Sequence, residues 1–199
     1  EIIFNFCSDE IKKDELSLLI QKSYSCFKDK EVVNLKKIGE INLLELYHGP
    51  TLAFKDIAMQ VIGNMYDYLE LAKDKTVNVV VATSGDTGSA AIHGCAKSNN
   101  VKIFILFPLN KVSEVQRKQM TTVKKKNVFN IAVKGNFDDC QRMVKNYFKL
   151  NNENKKINLA AVNSINWIRI MGQIVYYFWS YFRVSDRFDP ISFVVPSGN

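Results

Sequence analysis

Two runs apolar at all but one position, Val77–Ala82 and Val101–Phe107, and a third strand-like stretch, Val128–Val133, recur along the chain with a helix-like stretch after each. Runs of this kind mark strands buried on both faces rather than strands with one wet face. Strand and helix in regular alternation call for a parallel sheet with helices on its faces, so the fold class read from the sequence is α/β.

The connecting stretches fit this grammar. A small-residue loop, Thr83–Gly88, leads into a helix that runs through Ala96, and Pro108 closes the second strand. Ser113–Thr121 is polar and helical, with Glu114 early and Arg117 and Lys118 late, which suits the helix dipole. Gly135 marks a turn before a helix over Phe137–Leu150, and Asn151–Lys156 reads as a solvated loop. A short strand at Leu159–Val162, a nearly all-round apolar helix over Ser164–Phe182 and a last strand at Ile191–Val195 follow. In that helix, Trp167, Met171, Tyr176, Phe178 and Trp179 are spaced as core residues. Ahead of the alternation, Ile11, Leu16, Leu19 and Ile20 predict a helix from Ser8, placed as its N-cap, to about Phe27. Strand candidates at Val32–Ile38 and Ile41–Tyr47 precede a Gly49-Pro50 turn, and Lys55–Lys73 reads as a helix with Ile57, Val61, Met65 and Leu69 on one face.

Composition narrows the function. The 199 residues are 47% hydrophobic and 24% charged, a globular balance sufficient for one or two α/β-sized units. A net charge of +7 permits an anionic partner without demanding nucleic acid. Lys124-Lys125-Lys126 has no interleaved aromatic residues and reads as a solvated loop. Cys7, Cys26, Cys95 and Cys140 are far apart with no CxxC, which argues against a cysteine-built zinc site or a disulfide scaffold and for a reducing, cytoplasmic setting. Two histidines without paired spacing give a metal site little support; His93 reads as structural, and His48 as a substrate contact or a turn histidine. The most apolar stretch, Ile170–Phe182, is short of the ~20 residues a membrane span needs, and no secretory signal is read at the start. The chain opens on Glu1 and stops just after a strand-like run, and so reads as a piece of a longer protein.

Ligands in parallel α/β sheets bind at the carboxyl ends of strands, where helix N-termini present free amides. Three places fit. In Thr83-Ser84-Gly85-Asp86-Thr87-Gly88-Ser89, glycines allow a tight turn, and hydroxyls and amides can converge on a carboxylate or phosphate; the alternative is an N-capped loop whose hydroxyls do local work. It is neither a P-loop nor a GxGxxG fingerprint. In His48–Asp56, Lys55 lies behind Leu52, Ala53 and Phe54, where desolvation would free its amine for a Schiff base; the alternative is a first-turn lysine paired with Asp56 or in water. Pro196–Asn199 begins another small-residue loop.

These segments together carry a resemblance. HGPTLAFKD (His48–Asp56), VATSGDTGSAA (Val81–Ala91), VSEVQRKQMTT (Val112–Thr122), VNSINWIRIMGQ (Val162–Gln173) and VPSGN (Val195–Asn199) resemble, in order, segments of the threonine synthases, fold-type II pyridoxal-phosphate enzymes akin to the tryptophan synthase β-subunit. The resemblance implies that Lys55 anchors pyridoxal phosphate through a Schiff base and later serves as a general base. It places Asp86 against the cofactor's 3-hydroxyl, and Ser197, Gly198 and Asn199 at the start of the loop that holds its phosphate. Thr83, Ser84, Gly85 and Thr87 match the loop that grips the substrate carboxylate. Asn163, Ser164, Asn166 and Arg169 match a segment expected to bind the substrate phosphate, with Lys111, Ser113 and Gln116 as a further candidate contact. The implied reaction converts O-phospho-L-homoserine and water to L-threonine and phosphate. A related phospho-lyase or dehydratase, or a non-catalytic anion-binding relative, would keep the same loops. By the same resemblance residues 1–54 lead to the lysine, 55–185 form a smaller α/β domain that closes on substrate, and 186–199 begin a larger domain. The rest of the cofactor site is then expected beyond Asn199, and the 199-residue piece alone is expected to be inactive. No nucleic acid or membrane partner is implied, and monomer and homodimer stay open.

Overall fold

A sheet of four parallel strands forms where the apolar runs predict it. The computed structural model describes residues 1–71, 75–154, 156–164, 166–186 and 189–196. After a 3₁₀ turn at Ile3–Phe6 come α1 (Lys13–Tyr24), an antiparallel hairpin of β1 (Asn34–Ile38) and β2 (Ile41–Glu45), and α2 (Lys55–Leu71). The alternating part then runs β3 (Val77–Ala82), α3 (Asp86–Cys95), β4 (Val101–Pro108), α4 (Glu114–Thr121), β5 (Val128–Val133), α5 (Phe137–Asn154), β6 (Leu159–Ala160) and α6 (Trp167–Val184). The sheet order is β5-β4-β3-β6. The chain steps outward from β3 to β4 and β5, then returns to pair β6 with the opposite side of β3, at Asn78↔Leu159 and Val79↔Ala160.

Alternate residues of the central strands face different layers, as the pleat requires. Val77, Val79, Val81, Val101, Ile103 and Ile105 pack with Met59 and Ile62 of α2 and with Ala91 and Ile92 of α3. Val80 and Leu106 point the other way, onto Cys140, Val144 and Phe148 of α5. The amino-terminal segment adds a second cluster, in which Ile3, Leu16 and Leu19 meet Val61 and Met65. Each such side chain, fully buried, contributes about 1.5–3 kcal/mol. No helix among the described residues is long and apolar enough to cross a membrane.

Several expectations are corrected. Ser8 is not an N-cap: α1 starts at Lys13, and Ser8 donates to Asp9 beside it. Ile3, Cys7 and Ile11 are buried, and drawing all three inward coils this stretch into tight turns ahead of the helix. α5 continues to Asn154 through part of the expected loop, and Asn151 clasps the chain beyond it, donating to the Ile157 carbonyl at 2.8 Å and accepting its amide at 3.1 Å. The expected end of α2, beyond Leu71, lies outside the described residues. Ile191–Val195 forms no strand: no strand pairs with it among the described residues, and Val194 is 92% exposed. α6 is not apolar all round. It buries Arg169, Met171, Gly172, Tyr176 and Ser180, and it exposes Trp167 and Phe178, which the spacing had assigned to the core. Its inner face needs small and polar groups where it crosses α2, with Gly172 against the Ala58 backbone.

α2 and α3 touch backbone to backbone. A Cβ on Gly63 would run into the Gly94 carbonyl, and one on Gly94 into the Met59 carbonyl. Gly63→Ala gains about 1 kcal/mol in helix propensity. It loses about 1–3 kcal/mol to overpacking, at the upper end here because a backbone carbonyl cannot rotate aside. The variant is expected to unfold at lower urea than the parent; an unchanged or higher midpoint would show that the two helices can separate without cost.

Candidate functional site

The return of the chain from β5 to β6 creates a switch point between β3 and β6. Two segments leave the carboxyl edge of the sheet side by side there: residues 83–85 after β3 and 161–164 after β6. Crevices at such points are the ligand sites of open parallel sheets.

Lys55 reaches this edge as the first residue of α2, held by the loop before it. Asp56, fully buried, accepts the amide and the hydroxyl of Thr51, each at 2.7 Å. Burial pushes the Asp56 carboxyl above its ordinary range, and the bonds from Thr51 act against that rise. Gln119 of α4 donates to the Thr51 carbonyl at 3.0 Å, a tie that sequence reasoning missed; its only signal is the Gln116/Gln119 spacing, which puts two amides on one face of a polar helix. Leu52 turns the loop with φ of 60°, a conformation that costs a non-glycine residue about 1 kcal/mol.

Asp56 is thereby occupied, and it is not the partner of Lys55. The lysine is buried, its side chain only 5% exposed, with Nζ 3.1 Å from Oδ2 of Asp86 and 4.5 Å from the centre of the Phe54 ring. An ammonium in such a place needs a counter-charge, and Asp86, at the start of α3, supplies it. Lys55 and Asp86 thus meet although they are 31 positions apart in the sequence.

The loop after β3 is shaped by Thr83. Its Oγ1, 1% exposed as a residue, accepts the amides of Gly85 and Gly88, both at 2.9 Å. Ser89 donates to the Gly85 carbonyl at 3.0 Å. Gly85 has φ of 147°, a region that favours glycine. The amides of Asp86 and Thr87 open α3 and have no carbonyl of an earlier turn to bond. With the hydroxyls of exposed Ser84 and half-buried Thr87, they form the part of the loop able to receive an anion.

Across the switch point, Asn163 and Ser164 are exposed. Asn166 caps α6: its Oδ1 accepts the Arg169 amide at 3.2 Å, and its Nδ2 donates to the Ala161 carbonyl and the Tyr66 hydroxyl. Arg169 is 7% exposed, donates to the Val162 carbonyl at 3.3 Å, and has an Nε without a partner. No carboxylate pairs with it among the described residues, and burial lowers its pKa. A hollow of about 570 Å³ beside this segment is walled by Phe148, Lys149 and Asn163, and Lys55 is not part of its wall. Ser197, Gly198 and Asn199 lie outside the described residues. Lys111 is exposed, while Ser113 and Gln116 bond each other. A buried amine, a carboxylate beside it and free amides facing one crevice suit a carbonyl compound bearing anionic groups.

The profile described as pyridoxal-phosphate dependent enzyme matches residues 33–199. The threonine synthase of Eremothecium gossypii is 48% identical, over 100% of this chain and 42% of that protein. That of Pseudomonas aeruginosa is 47% identical, over 98% of this chain and 42% of that protein. Among solved structures, the pyridoxal-phosphate-bound threonine synthase of Brucella melitensis superposes with a TM-score of 0.89 at 42% identity, over 98% of this chain and 42% of that one. Diaminopropionate ammonia lyase from Escherichia coli, in apo form, has a TM-score of 0.56 at 12% identity and shares the fold. The chain spans about two-fifths of the length of the threonine synthases it matches.

Neither histidine joins the amine. His48 sits 3.3 Å from Glu45 and its carbonyl accepts the Lys28 amide, which ties the hairpin to the loop after α1. His93 is held below the ordinary histidine range by burial, with Asp56 acting against and Lys97 with that shift. Above about pH 7.5 the residue is neutral folded and unfolded, and it adds no slope. Below that, the unfolded chain binds the proton more readily, so stability falls as pH drops toward the folded-state value. His93→Gln should flatten the fall in unfolding midpoint between about pH 7 and 5; a parallel fall in both proteins would show that His93 is not its source.

Proposed function

This chain belongs to the pyridoxal-phosphate dependent enzyme family, and from that premise we propose that the whole protein is a threonine synthase, converting O-phospho-L-homoserine and water to L-threonine and phosphate. The observation that carries this reading is Lys55, a buried amine held against Asp86 at the mouth of the switch-point crevice. The names of the relatives, and an identity near half over nearly the whole chain, support it.

The residues present fit the cofactor. A buried amine beside a carboxylate, with the hydroxyls of Ser84 and Thr87 and the free amides that open α3 close by, is the set of groups an anionic aldehyde needs. Bound pyridoxal phosphate supplies a carbonyl for the lysine and a conjugated ring that accepts carbanion charge. Lys55 would hold the cofactor, Asp86 would serve as the anion beside that nitrogen and as the partner of the 3-hydroxyl, and Ser197, Gly198 and Asn199 would hold the cofactor phosphate. Ser84, Gly85 and Thr87 receive the substrate carboxylate, with the amides at the start of α3, on a loop that Thr83 braces. Asn163, Ser164 and Arg169 receive the substrate phosphate, on a segment that Asn166 holds in place; an anion there would relieve the unpaired guanidinium. Lys55, once freed, is the base that takes the Cα proton. Overall the Cγ–O bond breaks with its electron pair leaving on phosphate, Cγ gains a proton, and the oxygen of water bonds Cβ in place of a hydrogen. Residues 55–185 form the smaller unit, which closes on substrate and so excludes water until it is needed, while 186–199 open the larger one. Four free thiols accord with a cytoplasmic setting.

The test uses the full-length protein. Borohydride reduction of the cofactor-loaded enzyme should leave a pyridoxyl group on Lys55 in a mapped peptide, and threonine and phosphate should appear in equal amounts from O-phosphohomoserine. Lys55→Ala should lose the adduct and about 10²–10⁴-fold of the turnover. A folded, loaded protein without the adduct on Lys55 would overturn the assignment of the lysine; an adduct without threonine would overturn the substrate.

A further inference from the structure

We propose that Gln116 is a positioning residue that aims Asp86 at the nitrogen of Lys55, with α4 as the clasp that holds the lysine loop and the loop after β3 in register. The proposal deepens the reading above and rests on it. Asp86 receives two donors on separate oxygens: Lys55 Nζ on Oδ2 at 3.1 Å, and Gln116 Nε2 on Oδ1. Two donors on the two oxygens fix both the direction and the twist of a carboxylate. This matters because the Asp86 side chain is 32% exposed and would otherwise exchange partners with water.

The amide of Gln116 is itself held at both ends. Ser113, the N-cap of α4, accepts the Gln116 backbone amide at 3.3 Å and donates its hydroxyl to Gln116 Oε1 at 3.0 Å. Because the Asp86 carboxylate only accepts, the end of the amide that faces it is the NH₂, which leaves Oε1 to take the Ser113 hydroxyl. Gly85 lies directly beneath, where a side chain would collide with Gln116 Oε1. Two further contacts of α4 complete the clasp. Gln119 bonds the Thr51 carbonyl in the lysine loop, and fully buried Met120 fills the space beside Gly88 that a Cβ would enter. α4 therefore reaches both halves of the lysine–carboxylate pair, and Gln116 is its point of contact with the charge. A neutral donor suits this place: it orients Asp86 without offering a second cation that would draw the carboxylate off Lys55. Lys55 from α2 and Gln116 from α4 are the side chains bonded to Asp86 among the described residues.

An anion beside a nitrogen favours its protonated form, so the aim of Asp86 should be readable in the visible absorbance of bound cofactor as pH is varied. The experiment follows the midpoint of that band in full-length holoenzyme for the parent, Gln116→Ala, Gln116→Glu, Asp86→Asn and the double variant Gln116→Ala/Asp86→Asn. Gln116→Ala should lower the midpoint by about 0.5–1 unit. Asp86→Asn should lower it further, and Gln116→Ala should add nothing on top of Asp86→Asn. Gln116→Glu, which brings more negative charge to the same place, should raise it. A role in helix packing alone would not give opposite shifts from alanine and glutamate. Gln116→Ser replaces the alanine variant should that one fail to fold. An unchanged midpoint in Gln116→Ala, or a shift that persists undiminished beside Asp86→Asn, overturns the proposal. Absence of any visible band in the parent, with no adduct on Lys55, overturns the cofactor reading and this proposal with it.

Discussion

The contact between α2 and α3 governs what the rest of the molecule can do. Gly63 and Gly94 sit at the same depth in their helices, which begin at Lys55 and Asp86. Because the backbones touch at those glycines, the two helix starts are brought level with each other, and the lysine and the aspartate become neighbours. A bulkier residue at the crossing would displace one helix along or away from the other, and the error would be carried to the ends where the charges sit. Close packing far from the chemistry thus sets a distance at the chemistry.

The site that results separates its tasks by element. The sheet supplies an edge, and the return of β6 to the far side of β3 opens a crevice in it. α2 brings a cation that burial would make costly, and α3 brings the anion that offsets that cost. Arg169, a buried guanidinium without a carboxylate, is the complementary case: a charge for which the described residues offer no counterpart. One cation paired at the crevice and one without a carboxylate partner among the described residues are the two electrostatic facts to be explained together.

The legible parts of the fold were those in which a local pattern suffices. Val77–Ala82 and Val128–Val133 have the bounds the sequence predicts, because a mostly apolar run ended by a glycine loop or a turn carries its own limits. Ser113 caps α4, whose charge order suits its dipole. Long-range pairing was not legible. Nothing local says that Asp56 turns back to Thr51 while Lys55 reaches Asp86, since that outcome depends on the glycine crossing. The extended run 191–195 looks like a strand for the same reason that it is not one here: the pattern reports side chains, whereas a strand also needs a neighbour for its backbone. The five segments of family resemblance located the amine and both loops. They did not distinguish hydroxyls that brace a loop, as Thr83 does, from hydroxyls that face the crevice.

The pairing of β6 with β3 also orders events in time. β3, α3 and β4 follow one another closely, and their contacts close short stretches of chain. Asn78 and Leu159, by contrast, join residues on the order of 80 positions apart, a closure whose added entropy cost is modest but whose search is slow. The amine and its carboxylate both lie before that closure, and the segment that walls the other side of the crevice lies after it. A chain made from its amino terminus therefore presents both members of the charged pair before it presents the segment that encloses them.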